Sequence, residues 1–228
     1  MSKDFNEAFE RTKLAGSIAS GALDEVNKII KPGISTNEID KICYEFINDN
    51  KAYSAPLFYR GFPKSCCTSA NHVVCHGIPS DKILKEGDIV NVDVTAIKDG
   101  WHGDTSRTFK VGEVSVKAEK LINVTYESMM KAINIVKDGI HLGDIGSTIQ
   151  THVESNGFSV VQDFCGHGIG QSFHKEPNVL HYGEKGTGKK IKAGMIFTIE
   201  PMINLGNYET KILNDGWTAV TKDKSLSA

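Results

Sequence analysis

Residues 91–105, NVDVTAIKDGWHGDT, constrain the fold more than any other part of this chain. The first five alternate between polar side chains and valines, which is typical of a strand with one buried face. Asp99-Gly100 then favours the positive φ angles of a two-residue hairpin turn. If this pair forms the turn, counting back along the two strands places Asp104 opposite Thr95.

The same register makes Asp93 and Asp104 diagonal neighbours on one face of the predicted hairpin. Diagonal neighbours lie roughly 7 Å apart at the backbone, so the two carboxylates can close on a common cation. No Lys or Arg occupies this face until Lys98 at the turn, and a divalent metal would supply the missing charge. The alternative is an ordinary solvated hairpin face, which this stretch taken alone favours.

The rest of the sequence is that of a globular protein. Its 228 residues carry a formal net charge of −2, which gives no reason to expect nucleic acid or a membrane as a partner. The N-terminal segment MSKDFNEAFERTK contains no apolar run, so we expect neither a signal peptide nor an anchor. The five cysteines are odd in number and form no C-x-x-C pair, so we expect reduced thiols and a cytoplasmic location.

Four segments have helical periodicity. Residues 14–30 predict an amphipathic helix that ends at Pro32-Gly33, and Ser35 with Glu38 predicts a capping box for a second helix. Residues 117–136 and 145–153 predict two further helices. Residues 53–79, rich in Gly, Pro, Ser and Cys, predict irregular loops and short strands.

The second half of the chain repeats the first. KPGISTNEI at 31–39 aligns with KDGIHLGDI at 137–145, and each segment follows a long helix and opens a short one. The same offset brings Asp93 to within one residue of Glu200, in the strand-like MIFTIEP. We therefore predict one domain, 1–228, built as a duplicated α/β unit with pseudo-twofold symmetry. Its pseudo-repeats are about 1–112 and 113–228, and their two sheets meet at the carboxylates.

Residues 165–177, CGHGIGQSFHKEP, hold two histidines among three glycines. The glycines exclude a stable helix and allow tight turns that aim an imidazole inward. His167 is therefore a candidate metal ligand, and His174 is a candidate non-ligand catalytic group. By default His76 would be a surface loop histidine, and Cys67 a small buried apolar residue.

Residues 183–189, GEKGTGK, fit the glycine and lysine skeleton of a phosphate-binding loop and so raise an ATPase or GTPase function. Lys190 stands where that loop needs a magnesium-binding Ser or Thr, and a strand-like sequence follows instead of a helix. We interpret the segment as a solvated turn.

The ordered motifs GFPKS, VCHGIP, NVDVT, HGDT, CGHGIGQSFHKEP, TIEP and DGWT resemble those of type I methionine aminopeptidases, from about residue 13 to residue 228. The resemblance implies an α/β (α+β) pita-bread fold with antiparallel sheets covered by helices. It also implies a hydrolase that removes the initiator methionine from nascent proteins with a small second residue. Its partner would be the N-terminus of nascent polypeptides, with the ribosome surface as a further candidate, and the enzyme would be a monomer.

The resemblance also implies roles for individual residues. The metal ligands would be Asp93, Asp104, which bridges two ions, His167, and Glu200, which also carries a proton. Two non-ligand histidines, His76 and His174, would contact the scissile amide. The methionine side chain would lie among Tyr59, Phe62, Cys67, Phe173 and Trp217.

The chemistry of these residue types agrees with the implied roles. Carboxylates with one imidazole suit Mn²⁺, Fe²⁺ or Co²⁺, and two ions about 3.5–4 Å apart can present a hydroxide to a carbonyl. An aromatic pocket with a thiol suits a thioether.

The resemblance places one more bridging glutamate three residues beyond Ala228, so we expect an incomplete ligand set in this sequence. An incompletely read chain, a natural truncation and a ligand from elsewhere are the three explanations, and the intact motifs favour the first. Two other functions remain open. One is a peptide-binding pita-bread module that no longer catalyses, and the other is a prolidase-like enzyme, although those usually carry a separate N-terminal domain.

Overall fold

The structure is a computed structural model that describes residues 3–228, with side chains from residue 5 onward. Met1 and Ser2, which begin both the predicted domain and the segment expected to lack a signal, lie outside the described residues. The helices are α1 (Lys3–Ile29), α2 (Thr36–Asp49), α3 (Val116–Ile135) and α4 (Leu142–Ser155). The strands are β1 (Tyr53–Ser54), β2 (Cys67–Ala70), β3 (Val73–Cys75), β4 (Ile89–Lys98), β5 (Trp101–Lys110), β6 (Ser159–Val160), β7 (Gly166–Gly168), β8 (Lys175–Val179), β9 (Ile203–Asn204), β10 (Thr210–Ile212) and β11 (Ala219–Thr221).

The predicted hairpin is confirmed as the centre of the first half. β4 and β5 pair antiparallel along all ten residues, and Thr95 lies opposite Asp104. The turn residues Asp99 and Gly100 have φ angles of 50° and 79°. β4 also pairs with β1 and β2, so its alternate valines are completely buried beneath α1 and α2.

Helix α1 lies unusually close to the hairpin at Gly103. A Cβ atom at this position would lie 2.0 Å from the main-chain nitrogen of Gly16. Only glycine permits this approach, because any other side chain would overlap the backbone of α1. The close contact fixes the strand that carries Asp104 against the longest helix.

The two aligned segments of the predicted repeat have the same local geometry. The main-chain N–H of Ser35 donates to the Glu38 carboxylate over 2.8 Å at the start of α2. At the start of α4, the N–H of His141 donates to Asp144 over the same distance. The predicted capping box of α2 is therefore confirmed, and the start of α4 repeats the half of it in which the N-cap N–H donates to a carboxylate three residues later.

The second half is less regular than the sequence predicts. Its strands have two to five residues and form small sheets, β6 with β9 and β7 with β8. The prediction of a strand through MIFTIEP is wrong, because Glu200 lies in no strand and a single bridge joins Phe197 to Gly168. The physical reason is that neighbouring N–H groups have separate partners: Thr198 donates to the His167 carbonyl and Glu200 to the His181 imidazole.

The C-terminal hairpin was not predicted. β10 and β11 pair with each other, and β11 also pairs with β3 in the first half. This long-range pairing connects the two halves. Residues 183–189 form an exposed turn, as predicted, and the five cysteines are free thiols. Within residues 3–228, no helix is both long and apolar enough to cross a membrane.

Candidate metal centre

Three of the four predicted metal ligands converge on one point. One ligand atom from each of Asp104, His167 and Glu200 lies within 4.8 Å of the other two. The Nε2 atom of His167 is 3.5 Å from Asp104 Oδ2 and 3.5 Å from Glu200 Oε1. Asp93, the fourth, is the diagonal neighbour of Asp104 across the hairpin, because Asp104 lies opposite Thr95. These residues are far apart in sequence, and the fold brings them together.

Two threonines hold these ligands, and the sequence analysis missed both. The Thr95 hydroxyl donates to Asp104 Oδ1 over 2.8 Å, directly across the hairpin. The Thr198 hydroxyl donates to Glu200 Oε1 and accepts the main-chain N–H of His167. The position of Thr95 opposite Asp104 could have identified it, and Thr198 stands in the TIEP motif, two residues before Glu200.

Burial and mutual repulsion dominate the electrostatics of the site. Burial, followed by the charge of Asp104, raises the pKa of Asp93 well above its usual range. The same two causes raise the pKa of Glu200 to about 7. Burial alone would lower the pKa of His167, but its contacts with Asp104 and Glu200 raise it. Among the described residues, no Lys or Arg forms an ion pair with these carboxylates. Crowded acids without a cationic side chain are a donor set that fits a divalent metal.

The orientation of His167 fits the same interpretation. Its Nδ1 lies 3.1 Å from the carbonyl oxygen of Gly168, to which a protonated Nδ1 donates. The lone pair of Nε2 then faces the carboxylates, which is the usual arrangement of a metal-binding imidazole. Gly166 makes room for this loop, because a Cβ there would lie 2.5 Å from the carbonyl oxygen of Thr198.

The two predicted non-ligand histidines lie in different surroundings. The His174 ring centre is 4.2 Å from that of His167, and its Nδ1 is 3.1 Å from the Tyr59 hydroxyl. Burial, followed by the charge of His167, lowers the pKa of His174 to about 4, so the ring is neutral near neutral pH. His76 packs edge-on against Phe164 and Trp217, and burial lowers its pKa.

The predicted pocket residues form two aromatic pairs near these histidines. Phe62 and Trp217 have ring centres 5.2 Å apart, and Tyr59 and Phe173 have ring centres 5.0 Å apart. Cys67 is buried on β2 in register with Asp93, and burial, then the charge of Asp93, raises its pKa. A neutral thiol and aromatic rings therefore adjoin the ligand cluster. Phe164, against His76, was not predicted.

Sequence comparison finds that the chain is similar to known metallopeptidases. The sequence model of metallopeptidase family M24 matches residues 10–223. The chain is 55% identical over 221 residues to a methionine aminopeptidase of Rickettsia prowazekii, covering 96% of this chain and 85% of that protein. It is 54% identical over 224 residues to the Escherichia coli K12 methionine aminopeptidase, with 97% and 85% coverage.

Solved structures extend the comparison to the fold. The crystal structure of the Rickettsia prowazekii methionine aminopeptidase superposes with a TM-score of 0.97 at 54% identity, covering 98% of this chain and 90% of that one. The prolidase from Pyrococcus furiosus has a TM-score of 0.74 at 25% identity, and 56% of it is covered. The expected pita-bread fold is thereby confirmed.

Proposed function

This chain belongs to metallopeptidase family M24, and we propose that it is a metal-dependent aminopeptidase that removes the N-terminal methionine from newly made proteins. One observation carries the proposal: Asp104, His167 and Glu200 bring ligand atoms within 4.8 Å of one another, beside a pocket of aromatic rings. The identity of 54–55% to methionine aminopeptidases supports the same substrate.

We propose that Asp93, Asp104, His167 and Glu200 hold two divalent ions, with Mn²⁺, Fe²⁺ or Co²⁺ suited to these donors. Asp104 would help to hold both ions, because it is the diagonal neighbour of Asp93 and its Oδ2 is 3.5 Å from His167 Nε2. When bound, the metal supplies the Lewis acidity that activates water toward the scissile carbonyl.

The chain's own groups would handle the substrate and the proton. Glu200 would accept the proton that the attacking water loses and would pass it to the departing amine. A neutral His174 can donate an N–H to the carbonyl oxygen, with its ring held by Tyr59. His76 lies beside the aromatic pocket and would contact the same amide from that side.

The pocket explains a preference for methionine. Its aromatic contacts, which favour a thioether sulfur, come from Tyr59, Phe62, Phe173 and Trp217. The raised pKa of Cys67 keeps its thiol neutral, so an uncharged side chain meets no fixed charge there.

We further propose that residues 1–228 act as a single catalytic domain and as a monomer in the cytoplasm. The five free thiols are consistent with a reducing compartment. Contact with the ribosome surface would place the site near emerging N-termini.

The test is methionine release from the peptide Met-Ala-Ser by the full chain, with Mn²⁺, Fe²⁺ or Co²⁺ added. We expect release with at least one metal and none from an Asp93→Asn variant. Binding of Met-Ala-Ser without release would favour the peptide-binding module. Cleavage of Ala-Pro but not of Met-Ala-Ser would favour the prolidase-like enzyme.

A further inference from the structure

His181, which follows β8, makes a contact that the proposed reaction does not use. Its side chain is completely buried, and its Nε2 accepts the main-chain N–H of Glu200 over 3.1 Å. A main-chain N–H commonly donates to a carbonyl oxygen within a strand or helix. Here an imidazole takes that place at a proposed metal ligand.

The other ring nitrogen indicates why an imidazole is present. Because Nε2 accepts a hydrogen bond, the ring proton of neutral His181 lies on Nδ1. This Nδ1 is buried and has no hydrogen-bond partner among the described residues. An unpaired buried donor destabilises the folded state, and an apolar side chain would avoid that penalty. The acceptor atom toward Glu200 is therefore the one polar contact that the ring supplies here.

Glu200 depends on such contacts because no strand holds it. The Thr198 hydroxyl binds its carboxylate, and His181 binds its main chain. Rotation of the peptide unit at Glu200 would displace the carboxylate from His167, whose Nε2 is 3.5 Å away. Fixing the N–H restricts that rotation.

We propose that His181 is a positioning residue that holds Glu200, through its main-chain N–H, in the orientation needed to bind a divalent metal. This inference rests on the proposed function for the role of Glu200 as a ligand. It assigns His181 no contact with substrate or metal.

The experiment measures Co²⁺ binding by calorimetry and by the visible absorption of the bound ion. His181→Leu removes the acceptor and fills the space, and His181→Gln restores an acceptor near the position of Nε2. We expect His181→Leu to weaken Co²⁺ binding about 10-fold or more, as loss of an outer partner of a metal site does, and to alter the absorption bands. His181→Gln should recover most of the affinity and the unaltered spectrum.

Leu121→Ala is the matched control for a merely structural effect. Leu121 is completely buried in the core of the same half, so its truncation lowers the Tm of the metal-free protein without removing a contact to Glu200. It should leave the Co²⁺ affinity and spectrum unchanged.

Three results with the variants would overturn the inference. In the first, His181→Leu binds Co²⁺ as tightly as the unaltered chain does. In the second, His181→Gln loses as much Co²⁺ affinity as His181→Leu. In the third, Leu121→Ala loses as much Co²⁺ affinity as His181→Leu. Absence of Co²⁺ binding by the unaltered chain would overturn it as well. Methionine release is assayed separately, so a chain that binds Co²⁺ but releases no methionine would refute the proposed function while the affinity ratios still decide the role of His181.

Discussion

The two halves of the molecule place their metal ligands by different means. In the first half, Asp93 and Asp104 lie on two ten-residue strands that pair along their whole length. In the second half, His167 lies on a three-residue strand and Glu200 on none.

A long ladder holds a side chain through many equivalent bonds, so the loss of one bond matters little. An irregular segment is held by a few specific contacts, here those of Thr198 and His181 with Glu200. Equal chemical changes should therefore have unequal effects in the two halves, except at the ligands themselves.

The largest expected effect is the same in both halves. Asp104→Asn and Glu200→Gln each remove a charged ligand, so methionine release from Met-Ala-Ser and bound metal should both fall. The loss should be at least about 100-fold in kcat/KM, the upper end of what outer partners of a metal site contribute. Asp99→Asn, an equal change of charge at the hairpin turn, is the control and should retain activity. Near-normal activity in either ligand variant would remove that residue from the site.

Two glycine substitutions should separate stability from metal binding. In Gly103→Ala, the new Cβ would overlap the backbone of α1, which should lower the free energy of unfolding by about 1–3 kcal/mol or more. In Gly166→Ala, the Cβ would displace the segment from Thr198 to Glu200. The free energy of metal binding should therefore change more than the free energy of unfolding. Urea unfolding and metal titration of both variants measure the two effects. If both variants lost the same stability and the same metal affinity, the proposed difference between the two halves would be wrong.

A matched pair of threonine substitutions tests how far each half holds its ligand without a side-chain hydroxyl. Thr95→Val and Thr198→Val each remove a hydroxyl that donates to a ligand carboxylate. Thr198→Val should weaken metal binding about 10-fold or more. Thr95→Val should weaken it less, because the hairpin still holds Asp104. An equal loss in both variants would show that the ladder gives no protection.

The smallest effects should be alike, because the two halves share one capping geometry. Ser35→Ala should cost about 1 kcal/mol of stability, the usual contribution of an N-cap. The main-chain N–H of Ser35 lowers the pKa of Glu38 below its usual value, and the N–H of His141 does the same for Asp144. A lowered pKa stabilises the fold above the unfolded value, so this contribution should disappear as the pH falls through the folded value.

Urea midpoints at pH 6 and pH 3 measure this acid sensitivity. Glu38→Gln and Asp144→Asn should each lose less stability between these pH values than the unaltered chain does. Glu45→Gln, an exposed change on α2 away from the cap, should behave like the unaltered chain. Acid sensitivity that persists in both cap variants would rule out the caps as its source.

The sequence predicted the first half well because its signals are local. Two-residue alternation and an Asp-Gly turn determine the register of β4 and β5, and that register places Asp93 and Asp104 together. The capping residues Ser35 and Glu38 are equally local. The motifs of the resemblance named the remaining candidate residues.

The second half could not be predicted in the same way, because strands depend on distant partners. The apolar residues of MIFTIEP resemble those of a buried strand, yet the main-chain N–H of Glu200 donates to an imidazole instead of to a neighbouring strand. β11 pairs with β3 across more than half of the chain, and no local pattern indicates that pairing. Thr198 and His181 acquire roles only because the fold places them against Glu200.

The crowding of Asp93, Asp104 and Glu200 also affects how the protein responds to its surroundings. Burial and the charge of Asp104 raise the pKa values of Asp93 and Glu200, so ionising these two groups as the pH rises destabilises the folded chain, and unfolding separates them. An ion that binds only the folded state stabilises it by about 2.7 kcal/mol when its free concentration is 100 times its Kd. The fraction of folded chains, and hence their lifetime against proteases, then depends on how much divalent metal the cell supplies.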